Sequence, residues 1–281
     1  MTICIDGEIL GFDPPRVMGI INCTPDSFYA GSRAMRAPDI TARALRMIEE
    51  GADFLDIGGY SSRPGCDDVS AEEEYSRLAM ALEQVRGVAP DAVISVDTFR
   101  ASVARRCVEE WNVQIINDIG GGTLDPDMFA TVAELGVAYV LMHMRGTPET
   151  MTSMTDYADV TAEVVSDLAF KLAELHQLGV ADVIVDPGFG FAKTMEQNFE
   201  LLGHLEEFRI LDCPVLAGLS RKSMIWRTLG CTPEESLNGT TVLNTLALDR
   251  GASILRVHDV KAAREAVALH TLTKSRCSSH L

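Results

Sequence analysis

The sequence repeats one pattern eight times, and this repetition constrains the fold more than any other feature. Each repeat has a short apolar run, a turn-rich break and a stretch with the spacing of an amphipathic helix. The apolar runs are continuous rather than alternating, which is typical of parallel strands covered on both faces. They span residues 16–22, 53–59, 92–98, 114–120, 138–143, 182–188, 214–220 and 252–259.

The stretches between the runs predict helices, most clearly at 39–52, 71–85, 159–179 and 238–252. No linker rich in Pro, Ser or Gly divides the chain. Eight strand–helix units in 281 residues therefore predict one (β/α)₈ TIM barrel over 1–281, an α/β fold. A short extension at about 1–14 and a tail at about 275–281 flank it. An open doubly wound sheet is the structural alternative, but eight regular units favour closure.

Bulk properties narrow the function. The net charge of −17 argues against a nucleic-acid partner, although it permits a small anionic substrate in a local cleft. No apolar run reaches the ~18 residues of a membrane-spanning helix, and the first residues lack the pattern of a secretory signal. The seven Cys are odd in number and form no CxxC pair, which favours reduced thiols and a cytoplasmic location.

Polar side chains stand at the C-terminal end of almost every run. Any one of them can be a cap or a turn residue, and Asp186 before Pro-Gly is good turn chemistry. Because the strand C-termini of such a barrel carry the active site, their coincidence predicts a site. In strand order they are Asn22, the segment 58–65 with Ser62 and Arg63, Asp97, Asn117 with Asp118, His143, Asp186, Ser220–Lys222, and Arg256 with His258 and Asp259.

The residue types at this rim suggest the ligand. Asp97, Asn117 and Asp186 suit a flat heterocycle with adjacent N–H groups, and each charge-assisted bond contributes roughly 1.5–3 kcal/mol. Arg63, Arg256 and His258 offer an anion site. Lys222 either pairs with a carboxylate or donates to a ring carbonyl.

The rim is also expected to bind a metal ion, Mg²⁺. Asn22 offers a neutral oxygen, which suits Mg²⁺ that keeps its waters and is shared with substrate phosphates. No His-rich cluster for a transition metal is present. GxxxxGK[ST], GxSxG and HExxH are all absent, and GFGFAK at 188–193 is not a GxGxxG loop.

The polar residues at the ends of the runs lie in the segments VMGIINCTPDSF, DIGGYSSRPG, SVDTFR, INDIGG, LMHMRGTPETM, VDPGFGF, GLSRKSM and RVHDV. In these segments and their order, the chain resembles the dihydropteroate synthase family from end to end. The resemblance implies that 6-hydroxymethyl-7,8-dihydropterin diphosphate condenses with 4-aminobenzoate in folate synthesis. It implies SN1-like loss of diphosphate, a homodimer through the last helices, and mobile loops after the first two strands.

The resemblance also implies roles for single residues. The pterin would contact Asp97, Asn117, Met142, Asp186, Gly218 and Lys222. The diphosphate, with Mg²⁺ at Asn22, would contact Asn22, Ser62, Arg63, Arg256 and His258. The aminobenzoate would contact Phe191, Ser220 and Arg221. The catalytic set would be Asp97, Lys222, Arg256 and His258.

The chain departs from the common family pattern at a few positions. Tyr60 replaces a frequent Glu, Ser62 a Thr, Cys23 an aliphatic residue, Ala30 an acid and Ala192 a Gly. Tyr60 and Ala30 bear on loop closure, aminobenzoate affinity and the response to sulfonamides, which the family pattern makes an expected class of inhibitor.

Two other functions fit a pterin-binding barrel. A pterin-dependent methyltransferase shares the acids but has no reason to keep the anion-binding SRK and RVH elements. A catalytically silent pterin-binding paralogue would show damage at Asp97, Lys222, Arg256 or His258, and all four are intact.

Overall fold

Strands form where the sequence has continuous apolar runs. The computed structural model describes residues 1–23, 37–60 and 69–277, with the side chains of 275–277 left out. Its strands are β1 (Thr2–Ile5), β2 (Glu8–Gly11), β3 (Arg16–Asn22), β4 (Phe54–Gly58), β5 (Val93–Asp97), β6 (Ile115–Asp118), β7 (Ala138–Met142), β8 (Val183–Asp186), β9 (Leu216–Ala217) and β10 (Ile254–Val257).

The strands β3 to β10 close into the predicted barrel. They are parallel neighbours in the order β8-β7-β6-β5-β4-β3-β10-β9. Val185 N donates to Pro214 O over 2.9 Å, beside a parallel bridge between Val185 and Val215, and this joins the two outer strands. The run 214–220 was predicted to be a full strand, but β9 has only two residues because the chain turns at Leu219, whose carbonyl accepts from Lys222 N.

Helices follow the barrel strands and cover their outer faces. They are α1 (Ala37–Glu49), α2 (Ala71–Val88), α3 (Ala101–Trp111), α4 (Met128–Leu135), α5 (Val160–Gln177), α6 (Met195–Gly203), α7 (Ser223–Leu229), α8 (Leu237–Asp249) and α9 (Val260–Cys277). Gly51 and Gly179 end α1 and α5 at φ 91° and 89°, a conformation that favours glycine. No described helix is long and apolar enough to span a membrane.

The predicted N-terminal extension is a β-hairpin that closes the bottom of the barrel. β1 and β2 pair antiparallel, and Ile3 and Ile5 pack against the first inward residues of the strands, including Phe54 and Ile184. The opposite rim, where the strands end, is left for the site. The loops predicted to be mobile fall on residues 24–36 and 61–68, and the end of the tail on 278–281, all outside the described residues.

Candidate active site

The centre of the rim is an ion cluster contributed by β4, β5 and β10. Arg256 Nη2 donates to Asp97 Oδ2 over 2.6 Å, and its Nε donates to Asp56 Oδ2 over 2.6 Å. Asp56 is fully buried, whereas the side chains of Asp97 and Arg256 keep 21% and 19% of their exposure. The strand ends therefore bring Asp97 and Arg256 together, as the sequence predicted.

Asp56 is a member of this cluster that the sequence interpretation missed. Its Oδ2 also accepts from Asn117 Nδ2 over 3.1 Å, so one carboxylate holds two of the predicted site residues. It lies inside the run 53–59, in the middle of β4, where its neighbours are apolar. An Asp in the interior of an otherwise apolar strand was the available signal, since a buried carboxylate needs partners.

The cluster changes how readily its members ionise. Burial raises the pKa of Asp97 to about 7; Arg256 opposes this rise, and the like charge of Asp56 adds to it. Burial works against the charge of Arg256, but Asp56 and Asp97 outweigh it and raise the pKa of the guanidinium. At neutral pH, Asp97 is thus a carboxylate close to its protonation point, beside a permanent cation.

Asp186 and Lys222 form a second group at the ends of β8 and β9. Asp186 Oδ1 accepts from Gly188 N over 2.7 Å, and Lys222 Nζ donates to Phe189 O. Burial raises the pKa of Asp186, and Lys222 opposes that shift. Burial lowers the pKa of Lys222 to about 8, although Asp186 favours its charge. Asp186 thus offers an acceptor, and Lys222 an ammonium group that loses its proton easily, to the same space.

Gly218 borders that space. A Cβ at this position would lie 3.8 Å from both Asp186 Oδ2 and Lys222 Nζ, so its missing side chain leaves room between them. Met142 is paired in register with Asp186 and belongs to an apolar cluster at the same rim, with Ile119, Met144, Met151 and Ala192. This combination suits a flat ring with polar edges, and the pterin contacts of Met142 and Gly218 stay predictions.

Phe191 lies against the same apolar cluster, half-buried, with Lys222 Nζ 5.0 Å from its ring centroid. The preceding segment is held by Lys193, a buried residue that the sequence interpretation did not select. Its Nζ lies 3.1 Å from Gly188 O, Phe191 O and His143 Nδ1. Burial lowers the pKa of Lys193 to about 7 and that of His143 to about 2. His143, a predicted strand-end residue, is therefore a neutral support of this segment.

Ser220 and His258 contact each other across the ends of β9 and β10. Ser220 Oγ lies 3.1 Å from His258 Nδ1 and accepts from His258 N over 3.1 Å. Burial, together with Arg43, Arg256, Arg221 and Lys222, lowers the pKa of His258 to about 3. His258 is accordingly a neutral hydrogen-bonding group here, not the cation that an anion-holding role suggests.

Arg221 was predicted to line the aminobenzoate pocket. Its guanidinium makes four hydrogen bonds to residues in the described ranges. Two go to the Asp259 carboxylate at 2.8 and 3.0 Å, and two to the carbonyls of Pro233 and Glu234 at 2.7 Å each. It is 7% exposed, and its side chain ties the β9–α7 turn to the segments just before α8 and α9. Its role at the aminobenzoate stays a prediction.

Asp118 is likewise a structural residue. It accepts from Gly120 N, Gly122 N and the Tyr139 hydroxyl at 2.7, 2.8 and 2.6 Å. The turn-and-cap interpretation holds for this strand end. The interpretation of Ser62 and Arg63 stays a prediction, because both lie outside the described residues.

Asn22 ends β3 next to the central cluster. A Cβ on Gly58 would lie 3.6 Å from Asn22 Oδ1 and 3.6 Å from Asp97 Cβ, so the amide oxygen and Asp97 flank the same glycine. Among the residues in the described ranges, no three His, Cys, Asp or Glu side chains are grouped to hold a metal. Asp56 and Asp97 already pair with Arg256, so Asn22 offers a cation a neutral amide oxygen rather than a carboxylate.

Three of the family departures lie in the described residues. Tyr60 packs edge-on against Phe99, with ring centroids 5.0 Å apart, and Arg100 lies 5.3 Å from the Tyr60 centroid. Cys23 is buried, which raises its pKa to about 12 and leaves it a protonated thiol. Ala192 adopts φ 48°, the left-handed conformation for which a Gly is the usual residue.

Comparisons of this sequence and structure with known proteins agree on one family. The sequence pattern of the family described as pterin binding enzyme matches residues 18–258. The chain is 40% identical over 277 residues to the dihydropteroate synthase of Escherichia coli K12, covering 98% of this chain and 97% of that one.

Two solved structures are similar over nearly the whole chain. The Yersinia pestis dihydropteroate synthase in a sulfonamide drug complex has a TM-score of 0.92 and 35% identity, covering 98% of this chain and 100% of that chain. The Xanthomonas albilineans dihydropteroate synthase in complex with 7,8-dihydropteroate has a TM-score of 0.84 and 38% identity, covering 98% and 99%.

Proposed function

Since the chain belongs to the dihydropteroate synthase family of pterin-binding enzymes, we propose that the rim residues described above hold its two substrates and carry its reaction. The chain is a transferase of folate synthesis. It condenses 6-hydroxymethyl-7,8-dihydropterin diphosphate with 4-aminobenzoate to give 7,8-dihydropteroate and diphosphate. The observation that carries the residue assignment is the meeting of Asp97, Asn117, Asp186 and Lys222 with Arg256 at one rim.

The pterin site is assigned by donors and acceptors. Asp186 and Asn117 present oxygens to the N–H groups of the pterin, and Lys222 presents an N–H to its carbonyl. Met142 and the open space at Gly218 accept the flat ring. A carboxylate and a cation that are both largely withdrawn from water interact more strongly with the ligand than exposed groups do.

The chemistry follows from where charge develops. When the C–O bond to diphosphate breaks, the dihydropterin carries positive charge and the leaving group gains negative charge. Asp97 stabilises the first, while Arg256 and the neutral His258 donate to the second. The aniline nitrogen of 4-aminobenzoate is a nucleophile without deprotonation, so the protein acts mainly through position and electrostatics. Phe191 and Ser220 are assigned to the pocket of this second substrate, the place that a sulfonamide would also occupy.

Mg²⁺ fits the donors at Asn22. A single neutral oxygen suits a cation that keeps several waters and takes its other ligands from substrate phosphates. When bound, the ion would supply charge neutralisation for the departing diphosphate. The corresponding test compares diphosphate release with and without Mg²⁺ for the parent chain and Asn22→Ala. The variant should need more Mg²⁺ for half-maximal rate; an unchanged requirement would remove Asn22 from the assignment.

A homodimer through the last helices is supported by exposed apolar side chains. α8 exposes Val242 and Leu246 at 51% and 45%, and α9 exposes Leu269 and Leu272 at 67% and 59%. These neighbouring helices would bury these groups against a second copy. Sedimentation should give a dimer for the parent chain and a monomer for Leu246→Glu/Leu269→Glu, with Phe170→Glu on α5 as a control that stays dimeric. A monomeric parent chain would refute this.

A cytoplasmic location is proposed on the thiols. Cys4, Cys23, Cys107, Cys213 and Cys231 are free, and the first of them is exposed. Exposed free thiols persist in a reducing compartment. Fractionation of cells that express the chain, with thiol counting on the recovered protein, tests this assignment.

A further inference from the structure

Asp56, buried under the rim, accepts hydrogen bonds from two side chains assigned to the substrates, Asn117 and Arg256. Its Oδ2 accepts from Asn117 Nδ2 over 3.1 Å and from Arg256 Nε over 2.6 Å, while Arg256 Nη2 lies 2.6 Å from the same oxygen. Asp56 is 0% exposed, so it cannot contact a substrate itself. Its other oxygen, Oδ1, is buried without a hydrogen-bond partner among the described residues.

These bonds decide which atoms Asn117 and Arg256 present to the cleft. An amide that donates Nδ2 to a carboxylate must point its Oδ1 the other way, and Asn117 Oδ1 makes no hydrogen bond to a described residue. Arg256 uses Nε and Nη2 on Asp56 and Asp97, and its Nη1 makes no bond to a described residue. The atoms that remain to face the cleft are therefore one acceptor, Asn117 Oδ1, and the two N–H donors of Arg256 Nη1.

We propose that Asp56 is a positioning residue, which fixes the Asn117 amide with its oxygen toward the pterin and orients Arg256 with one terminal nitrogen toward the diphosphate. The inference rests on the proposed function and assigns a role to a residue that touches neither substrate. A pterin presents N–H donors along its amino-pyrimidine edge, so the orientation of the Asn117 amide decides whether it attracts or repels that edge.

The variant Asp56→Ala tests this directly. It removes the one oxygen, Oδ2, that accepts from both Asn117 Nδ2 and Arg256 Nε, so the Asn117 amide is no longer held with its oxygen toward the cleft. Asn117 can then turn a donor toward the pterin donors. Binding of 6-hydroxymethylpterin, measured by calorimetry, should weaken by at least about tenfold.

A conservative variant separates orientation from simple damage. In Asp56→Asn the amide oxygen can replace Oδ2 and accept both bonds, with its nitrogen in place of the unpartnered Oδ1, so Asn117 keeps its orientation. This variant should bind 6-hydroxymethylpterin at least about tenfold more tightly than Asp56→Ala. The control is Asp53→Asn just before the same strand, where a carboxylate also holds two arginines, Arg16 and Arg264, at 3.0 and 3.1 Å.

A pH profile gives a readout that a merely structural role would not move. Removing the charge of Asp56 removes a repulsion on Asp97, so the acid limb of kcat/KM should shift to lower pH in Asp56→Asn. Asp53→Asn should lower the melting temperature without moving this limb or the pterin affinity.

Two results would overturn the inference: an Asp56→Ala variant with parental pterin affinity, or an Asp56→Asn variant that binds pterin no better than Asp56→Ala. Failure of the proposed function looks different. In that case the parent chain itself makes no dihydropteroate, while the calorimetric comparison of the variants remains readable.

Discussion

Arg256 Nη2 lies 2.6 Å from Asp97 Oδ2, so the cation expected to receive the diphosphate neutralises the carboxylate expected to face the pterin. The two roles are therefore coupled. A diphosphate that bonds to Arg256 shares this cation with Asp97, so it weakens the effect by which Arg256 opposes the raised pKa of Asp97.

This pair changes the expected behaviour of Arg256→Ala. If Arg256 only held the diphosphate, binding of a pterin without diphosphate would be nearly unchanged in this variant. With Arg256 removed, however, Asp97 and Asp56 lose their counterion, and the pKa of Asp97 rises further above 7. Pterin affinity relative to the parent chain should fall by about tenfold or more at pH 7, and this deficit should shrink at pH 9, where Asp97 ionises again. Calorimetry at the two pH values checks this; equal losses at both would show that protonation of Asp97 is not involved.

The pH dependence of the parent chain should be bell-shaped. Asp97 acts as a carboxylate and loses its charge as the pH falls through about 7, and Lys222 acts as an ammonium and loses its proton as the pH rises through about 8. kcat/KM for the pterin diphosphate should thus decline on both sides of a narrow maximum. Lys222→Met should remove the basic limb along with most of the activity. A flat profile between pH 5 and pH 9 would contradict both assignments.

Asp186→Asn should weaken pterin binding strongly. The change replaces two acceptors by one acceptor and one donor opposite ring N–H groups, a loss of ~1.5–3 kcal/mol or roughly 10–150-fold in Kd. The matched control is Asp182→Asn at the start of the β8 region, where the carboxylate accepts from Cys4 N over 2.7 Å at the bottom of the barrel. That control should alter stability and leave the Kd unchanged.

Gly218→Ala should affect the ligand more than the fold. The added methyl group meets its nearest neighbours at 3.8 Å, an ordinary contact, but it enters the space between Asp186 and Lys222. The melting temperature should change by no more than about 2 °C, while pterin affinity falls by about tenfold. Gly203→Ala, where nothing lies within 4 Å, is the control. Full pterin affinity in Gly218→Ala would place the ring elsewhere.

The sequence predicted the barrel and most of its rim, because both depend on a local pattern. Continuous apolar runs identify covered parallel strands, and residues after them must meet at one end of the sheet. Asp97, Arg256, Asp186 and Lys222 all followed from this rule. The N-terminal hairpin was missed although its signal is present, since Asp6-Gly7 between ICI and EIL is a typical hairpin turn, with φ 50° and 80°.

The features that the sequence did not predict depend on contacts between residues far apart in the chain. Asp56 and Arg256 are 200 residues apart, and Arg221 and Asp259 are 38 apart, so no local pattern shows that one pair builds the site while the other fastens a turn. The protonation states were equally hidden. His258 is neutral because burial and four surrounding cations act on it together, which only the folded chain reveals.

The rim described above joins a dihydropterin to an aminobenzoate. The most direct measurement is turnover by the purified chain with both substrates, with and without Mg²⁺, following dihydropteroate and diphosphate together. Equal amounts of the two products are expected, formed only when both substrates are present and faster with Mg²⁺. Pterin-saturated protein that yields no dihydropteroate would contradict this expectation and would indicate a pterin-binding protein without catalysis.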